Sequence, residues 1–416
     1  MAEVITNDPI LLNETGLLML TELKRHNTLM SLIAEGSRSD VYSNITDVAH
    51  LVRGGTLEDN KRIFPIGDRL IIPWKDMDDS AHNTDATAYQ VPMDIVHHGE
   101  VELTTGEIVP GMFLQWHYSS PYAMSFGRQQ AFMKCTTSLA AGTYYIVFGG
   151  SWGSNAVSGS SWNFTLTQPV PAGGYLSGFE GMPDQASTNW RVMSWTSAVS
   201  ATPIETVTVA AGVSGTNLGT MLTSSVNGNL NSMQKVAYGG NRWKTSGVRQ
   251  YLNKSGQSWF AAQEAYDIRP NEYAKYGFLS GFGDDFLQAI RPIKVSTAVN
   301  TLENSSGVVD DTFDRFFLPS LEQMNATPWL TGVEGSYFEY WRRRLELNAP
   351  AANYPTVYEG FKIPAINTQT TPQVYRLRSA ANNYTCYSFV GLTTGGINGT
   401  TGSSMAYRLA PICVVC

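Results

Sequence analysis

The sequence predicts a β-rich, multidomain chain with an N-terminal helix, a β-sandwich-like middle and a C-terminal α+β domain. Three observations predict this fold class. Only 15% of the residues are charged, whereas 38 residues are glycine and 11% are aromatic, which favours strands and tight turns. From residue 63 onward, Gly and Pro interrupt short apolar runs at intervals of about ten residues. A chain of 416 residues can also hold roughly two to four domains.

The first predicted element is a helix over residues 14–35. Asn13 can cap its start and Gly36 can end it. Apolar residues and one histidine recur along it at alternating spacings of four and three, which is typical of a coiled-coil seam. We therefore predict that residues 1–60 form a helical segment for assembly or anchoring, and packing of the helix on its own domain is the alternative. The seam residues are Met19, Leu23, His26, Met30 and Ile33.

The predicted middle domain covers residues 61–220 and is expected to be a sandwich of short strands or a barrel. Runs such as Arg69-Leu-Ile-Ile-Pro-Trp74 and Gly142-Thr-Tyr-Tyr-Ile-Val-Phe148 predict strands. Apolar residues from Trp162 to Leu166 alternate with polar ones, the pattern of a half-buried strand. The stretch from Ala210 to Asn231 is rich in Gly, Ser, Thr and Asn, and we predict that it is a linker.

Residues 221–416 are predicted to form the α+β domain. Ser246-Gly-Val-Arg-Gln-Tyr-Leu-Asn253 predicts an amphipathic helix whose apolar side chains point inward. Asp284-Asp-Phe-Leu-Gln-Ala-Ile290 predicts a second short helix. Strands are expected at Tyr375-Arg-Leu-Arg-Ser379 and at the apolar end, Leu409-Ala-Pro-Ile-Cys-Val-Val-Cys416.

A polar and aromatic tract from Ala380 to Tyr407 lies between these last two strands. It is dominated by Asn, Tyr, Ser, Thr and Gly. Tyrosine offers a large, rigid contact area, whereas Ser, Asn and Gly provide adaptable hydrogen bonds, and binding surfaces use both. The tract therefore predicts a ligand-binding surface held by a framework. A cluster of Gly/Ser/Thr loops without a ligand is the alternative.

Two patterns that bind phosphate or zinc are missing from this sequence. It has no P-loop and no H-E-x-x-H spacing. Cys413-Val-Val-Cys416 has no second pair to complete a zinc site, so strand cysteines are expected there. We therefore predict no catalytic residue, no metal, no cofactor and no enzymatic activity. Paired carboxylates such as Asp284-Asp285 keep a glycan-cleaving activity open as an alternative.

Charge and hydropathy restrict the partners. The formal net charge is −7 and the isoelectric point is about 5.4, which argues against nucleic acid as the principal partner. No stretch of the sequence is apolar enough to cross a bilayer, so membrane insertion is not expected.

A series of local patterns follows between Asn241 and Val415. In their order they resemble the C-type-lectin-like domain of bacteriophage and prophage virion proteins. The patterns are Trp243 with Ser246-Gly-Val-Arg-Gln-Tyr-Leu-Asn253, Trp259-Phe260, Gly277-Phe-Leu279, Asp314-Arg-Phe-Phe-Leu-Pro-Ser320 with Glu322, Tyr375-Arg-Leu-Arg-Ser379 and Tyr407-Arg-Leu-Ala-Pro-Ile-Cys413.

Many members of that family are diversified by retroelements, in which a reverse transcriptase randomises adenines so that Asn codons change without producing stop codons. The resemblance therefore implies a variable ligand-binding face on a lectin-like scaffold. The framework it implies includes Leu377, Val390, Ile412 and Val414. The contact residues it implies are Asn382, Asn383, Tyr384, Tyr387, Asn398, Thr400, Ser403, Ser404 and Tyr407.

The same resemblance implies a virion-surface protein, made in the bacterial cytoplasm, that binds a host-cell receptor. The receptor would be a protein or a glycan, and the expected location is the tail rather than the head. We expect the N-terminal region to contact other virion proteins and the chain to form a homotrimer. Two alternatives stay open: a head-decoration or head-fibre structural protein with a lectin-like adhesive domain, and a depolymerase of surface glycan.

Overall fold

A computed structural model describes most of the chain between residues 44 and 416. The helix predicted over residues 14–35, with its seam, lies outside the described residues. The described part is β-rich with short helices, as the composition predicts. The described ranges are 44–127, 130–149, 161–180, 189–193, 204–222, 229–230, 233–237, 240–263, 267, 269–300, 308–342, 374–381, 387–391 and 399–416.

The elements are short and follow one another closely. The α-helices are α1 (Ile45–Gly54), α2 (Leu57–Ile63), α3 (Gly247–Leu252) and α4 (Asp284–Ala289), and single 3₁₀ turns occur at Trp243–Thr245, Asn271–Ala274 and Phe278–Gly281. The first thirteen strands are β1 (Arg69–Trp74), β2 (Tyr89–Glu102), β3 (Ile108–Trp116), β4 (Met124–Ser125), β5 (Gln130–Cys135), β6 (Gly142–Gly149), β7 (Ser161–Leu166), β8 (Tyr175–Glu180), β9 (Asn189–Met193), β10 (Glu205–Ala211), β11 (Thr216–Leu222), β12 (Asn229–Leu230) and β13 (Met233–Ala237). The remaining strands are β14 (Ile293–Ala298), β15 (Val309–Asp314), β16 (Phe316–Phe317), β17 (Tyr375–Ala380), β18 (Tyr387–Gly391), β19 (Gly399–Gly402), β20 (Ala406–Tyr407) and β21 (Ile412–Val415).

A five-stranded antiparallel sheet, in the order β1-β2-β3-β21-β16, unites the beginning and the end of the described chain. Val414 of β21 lies opposite Phe113 of β3, and Cys413 lies opposite Phe316 on its other side. Cys413 is fully buried, as expected of a strand cysteine. The last strand of the chain is therefore an interior strand of this sheet.

One hydrophobic core covers this sheet. Helix α1 begins at Asn44, whose side chain accepts hydrogen bonds from the Thr46 and Asp47 amides, and it packs on α4 and β3. Helix α3 begins at Ser246, whose hydroxyl accepts from the Arg249 amide. Its predicted inward residues Val248, Tyr251 and Leu252 are all buried, so that prediction is confirmed.

A second sheet has nine strands in the order β12-β11-β6-β7-β10-β9-β8-β5-β13. Its two end strands, β12 and β13, contact each other, so the sheet curls back on itself. Phe164 and Leu166 are buried while Asn163 and Thr165 are not, which confirms the predicted alternation. The linker predicted over residues 210–231 is wrong, because β11 and β12 lie within it and β11 pairs in parallel with β6. Main-chain pairing stabilises this stretch although its composition is that of a loop.

The nine-stranded sheet is an insertion into the unit that is formed by the five-stranded sheet and its hydrophobic core. Gly127 and Gly240, which flank it, lie so close that a Cβ on Gly127 would come 2.4 Å from the Gly240 carbonyl oxygen. The chain therefore leaves and returns at adjacent points. The predicted limits at 60/61 and 220/221 do not coincide with this arrangement, because β3, from the predicted middle domain, pairs with residues 412–415. Such long-range pairing leaves no local signal in the sequence.

Among the described residues, no helix has both the length and the apolar character needed to span a bilayer.

Candidate functional site: a C-terminal face on buried arginines

The predicted ligand-binding tract lies on two small antiparallel sheets. Strands β17, β18 and β19 form one of them, in that order, with Phe389 opposite Thr400 and Tyr387 opposite Gly402. Strand β20 pairs with β4, so that Tyr407 lies opposite Met124. The described parts of the tract are therefore held by main-chain hydrogen bonds to the rest of the fold.

All six residues of β17 are buried, including two arginines. The Arg376 guanidinium donates to the Ser388 hydroxyl at 2.8 Å, to the Gly402 carbonyl at 2.5 Å and to the Met405 carbonyl at 2.6 Å. Its carbon lies 4.7 Å from the centroid of the Tyr407 ring. One buried cation thus joins β18, the end of β19, the turn after it and β20.

The second arginine, Arg378, ties β17 to the rest of the core. It donates to the Leu318 carbonyl at 2.9 Å, to Gln323 Oε1 at 2.5 Å and to the main-chain carbonyl of Glu334. The Glu334 carboxylate in turn accepts from the Ser379 hydroxyl and from the Ala298 amide. This network fixes β17 relative to β14 and to the segment that follows β16.

Burial determines the proton affinities in this framework. It lowers the pKa of Arg376 to about 9 and the pKa of Arg378 to about 10. Burial also raises the pKa of Glu334, and the Arg378 charge opposes part of that rise. At neutral pH both guanidiniums remain protonated and keep donating to their acceptors.

The structure describes only part of the predicted contact set. Thr400 is exposed on β19, Ser404 is half-buried and Tyr407 is partly buried on β20. Tyr387 lies in β18, where its main chain is described. Asn382, Asn383, Tyr384 and Asn398 lie outside the described residues.

Ser403 differs from its prediction as a solvent-facing contact. Its side chain is fully buried, and its carbonyl accepts hydrogen bonds from the amides of Phe126 at 2.8 Å and Gly127 at 3.3 Å. These bonds hold Ser403 against the strand that leads into the inserted sheet. We therefore assign Ser403 to the framework, together with the predicted framework residues Leu377, Val390, Ile412 and Val414, which are all buried.

Two further residues belong to the surface and were not among the predicted contacts. Met405 is 53% exposed at the turn closed by its amide and the Gly402 carbonyl, 3.1 Å apart. The hydroxyl of Thr401 lies 3.1 Å from that of Tyr407. Residues 402–405, which are small apart from Met405, are a turn signal that could have identified Met405 as a tip residue. We call the surface formed by Thr400, Thr401, Ser404, Met405 and Tyr407 the C-terminal face.

The chemistry of the C-terminal face is that of binding. Its side chains offer hydroxyl groups, a thioether and an aromatic ring, and none of them is charged at neutral pH. Such groups provide hydrogen bonds and apolar contacts to a ligand. Among the described residues, no group of three or more His, Cys, Asp or Glu side chains is arranged to hold a metal ion.

Comparison with known proteins adds one finding. No curated protein and no solved structure matches the chain. Residues 218–415 match the model of a domain of unknown function, DUF6273. This match begins within β11 and includes β17 with its two arginines, the C-terminal face and β21. The part of this chain that is similar to that family is thus the part that carries the candidate site.

Proposed function

We propose that this chain is a bacteriophage virion protein that binds a receptor on the bacterial surface through its C-terminal face. The observation that carries the proposal is the construction of that face. Arg376 holds the surrounding strands from beneath, while Thr400 and Met405 stay exposed above it. A rigid framework that presents small, uncharged and aromatic side chains is what binding surfaces with exchangeable contacts require.

We further propose that the C-terminal part has a C-type-lectin-like fold and that a retroelement diversifies its tract. The placement of the residues that carry the resemblance supports this. Trp243, Arg376 and Arg378 are fully buried, whereas Thr400 and Met405 between the framework strands are exposed. Substitution can therefore alter the exposed positions with little effect on the core.

The partners that we propose follow from the modest affinity of one copy of the C-terminal face. Contacts made by hydroxyl groups and single rings give modest affinity, and display of many copies on a virion compensates by raising the effective concentration. We propose a homotrimer that attaches to other virion proteins through its N-terminal region, on the tail. The receptor is a surface protein or a glycan, and the chain acts by binding rather than by catalysis.

A charge placed on the face tests the proposal. In Met405→Glu we expect attachment of purified protein to host cells to fall about tenfold or more, because a carboxylate would have to be desolvated on binding. The free energy of unfolding should change by less than about 0.5 kcal/mol, since Met405 is exposed. Flow cytometry of labelled protein on host cells measures attachment.

Ile108→Glu is the matched control, because Ile108 is an apolar residue that is 65% exposed on β3, outside the face. It should bind as the unmodified chain does. Equal attachment of both variants and the unmodified chain would show that the face does not contact the receptor.

The diversification is tested at the level of the gene. We expect closely related genomes to differ mainly in the codons for residues 382–407, next to a reverse-transcriptase gene and an adenine-rich template copy. Uniform drift along the gene, without such a template, would remove this part of the proposal.

A further inference from the structure

A pocket of about 610 Å³ lies beside α3, away from the C-terminal face. The end of α3 and the loop that follows it form one wall, and Phe313 of β15 contributes to another. Most of its lining side chains are amides, hydroxyls and aromatic rings, and none of the described residues that line it is acidic. Its volume is in the range of small-molecule sites, about 300–1,000 Å³. We call it the Trp259 pocket.

Two residues that line this pocket carry buried donors that have no acceptor among the described residues. They are the indole N–H of Trp259 and Nε2 of Gln250, whose residues are 5% and 8% exposed. The other end of the Gln250 amide is fixed, because Oε1 accepts from the Ala261 amide at 2.7 Å. A buried donor without a partner costs about 1–3 kcal/mol. Two of them in one pocket indicate a ligand that supplies acceptors.

The backbone is strained at the same place. Ser258 has a φ of 58°, in the left-handed region that side chains other than those of Gly, Asn and Asp seldom adopt. This residue directly precedes Trp259, so the strained turn sets the position of the indole. Strain of this kind costs about 1–3 kcal/mol and is concentrated at ligand sites.

The walls of the pocket are preformed. Asn253 at the end of α3 accepts from the amides of Arg315 and Phe316, and its own amide group donates to the Phe316 carbonyl at 2.8 Å. Arg249 is engaged by Asp314 at 2.7 Å. Phe313 is 39% exposed at the rim and offers a flat apolar surface.

We propose that the Trp259 pocket binds a sugar residue of a glycan. Hydroxyl oxygens of the sugar accept from Trp259 and Gln250, and an apolar face of its ring packs on Phe313. Among the described residues, Lys254 lines the pocket and no carboxylate does, which favours neutral or acidic sugars over cationic ones. The site shares no residue with the C-terminal face, and so it extends the proposed function by a second, independent contact with the bacterial surface.

Saturation-transfer NMR of the full chain tests the proposal, with a panel of free hexoses, N-acetylhexosamines, deoxyhexoses and hexuronic acids, each at about 10 mM. We expect at least one sugar to bind. Trp259→Phe should weaken its binding about tenfold, because the ring stays but the donor is lost. The melting temperature should not fall through loss of a hydrogen bond, since the indole N–H has no partner in the described protein.

Trp329→Phe is the matched control, because the Trp329 indole N–H is also buried with no partner among the described residues, and Trp329 does not line the pocket. Phe313→Ala should weaken sugar binding as well, whereas Tyr337→Ala, which removes another exposed ring, should not.

The proposal is overturned if no sugar of the panel binds, or if Trp259→Phe and Phe313→Ala bind sugar as well as their controls. Binding of peptides from host surface proteins in place of any sugar would also overturn it. These outcomes are separate from the attachment test, since Met405→Glu leaves the Trp259 pocket intact.

Discussion

Arg376 shows how a single buried side chain can define a surface. Its donors reach Ser388 and the carbonyls of Gly402 and Met405, and its plane lies near the Tyr407 ring. The charged group is costly to bury, so it stays in place only because these acceptors surround it. Residues above it can then differ in identity while the main chain that carries them keeps its position.

We expect Arg376→Met to lower the free energy of unfolding by about 2–4 kcal/mol, because the Ser388 hydroxyl and the Met405 carbonyl lose a charged donor inside the protein. Urea denaturation measures the change. Arg62→Met is the control, since Arg62 forms an exposed ion pair with Asp59 and should lose less than about 1 kcal/mol. Equal effects of the two substitutions would contradict the supporting role of Arg376.

A second prediction at the residue scale concerns His97, whose ring is stacked on Phe338 and tilted against Phe113. Burial lowers the pKa of His97 to about 4 from its ordinary value of 6.5. The unfolded chain therefore binds more protons between these values, and stability that is complete above pH 6.5 is lost as the pH falls toward 4. The loss should be on the order of 2 kcal/mol, and His98, whose pKa is also lowered by burial, adds to it.

Chemical denaturation at several values between pH 7 and pH 4 measures this loss. His97→Phe keeps a ring in contact with Phe113 and Phe338 and should reduce the slope of stability against pH. The difference between the two profiles then isolates His97 from the other titrating groups. If stability depends on pH in His97→Phe as it does in the unmodified chain, protonation of His97 is not the cause of the loss.

At the scale of single elements, the sequence was informative where a pattern is local. The amphipathic spacing of Val248, Tyr251 and Leu252 predicted α3, and the alternation from Trp162 to Leu166 predicted β7. The tract from 210 to 231 was predicted wrongly, because pairing of β11 with β6 overrides a loop-like composition. Strand β17 was expected as a strand, but nothing local indicated that Arg376 and Arg378 would both be buried.

The residues of the candidate site also divide into those whose exposure the sequence predicted and one whose burial it did not. Thr400, Ser404 and Tyr407 were identified by residue type, and they lie on the described surface or partly within it. Ser403 has the same chemistry as Ser404, but it is buried against Phe126 and Gly127. Residue type alone cannot separate these two serines, since burial depends on a strand that lies more than 270 residues earlier in the chain.

At the scale of the whole molecule, the nine-stranded sheet interrupts a unit formed by the described residues of 44–127 and 240–416. Because Gly127 and Gly240 are adjacent, the interruption leaves the ends of that unit close together. Insertions at such points are tolerated since they displace little of the surrounding core.

We therefore expect a variant in which a short Gly/Ser linker replaces residues 130–237 to fold on its own. It should unfold cooperatively, because the five-stranded sheet and its core stay complete. Calorimetry and circular dichroism measure this. Removal of residues 69–102 in place of the insertion should abolish folding, since it deletes two strands of that sheet. A chain that loses cooperative unfolding without residues 130–237 would show that the two sheets form one unit.

The sequence by itself determined the β-rich class, several helices and strands, and the side-chain chemistry of the C-terminal tract, because these depend on composition and on spacings of a few residues. Only the tertiary structure decided that the last strand pairs with β3, that Arg376 supports the face and that Trp259 and Gln250 meet in one pocket. Each of those arrangements depends on packing or hydrogen bonding between segments, and the free energy of such contacts is a property of the folded chain rather than of any local pattern.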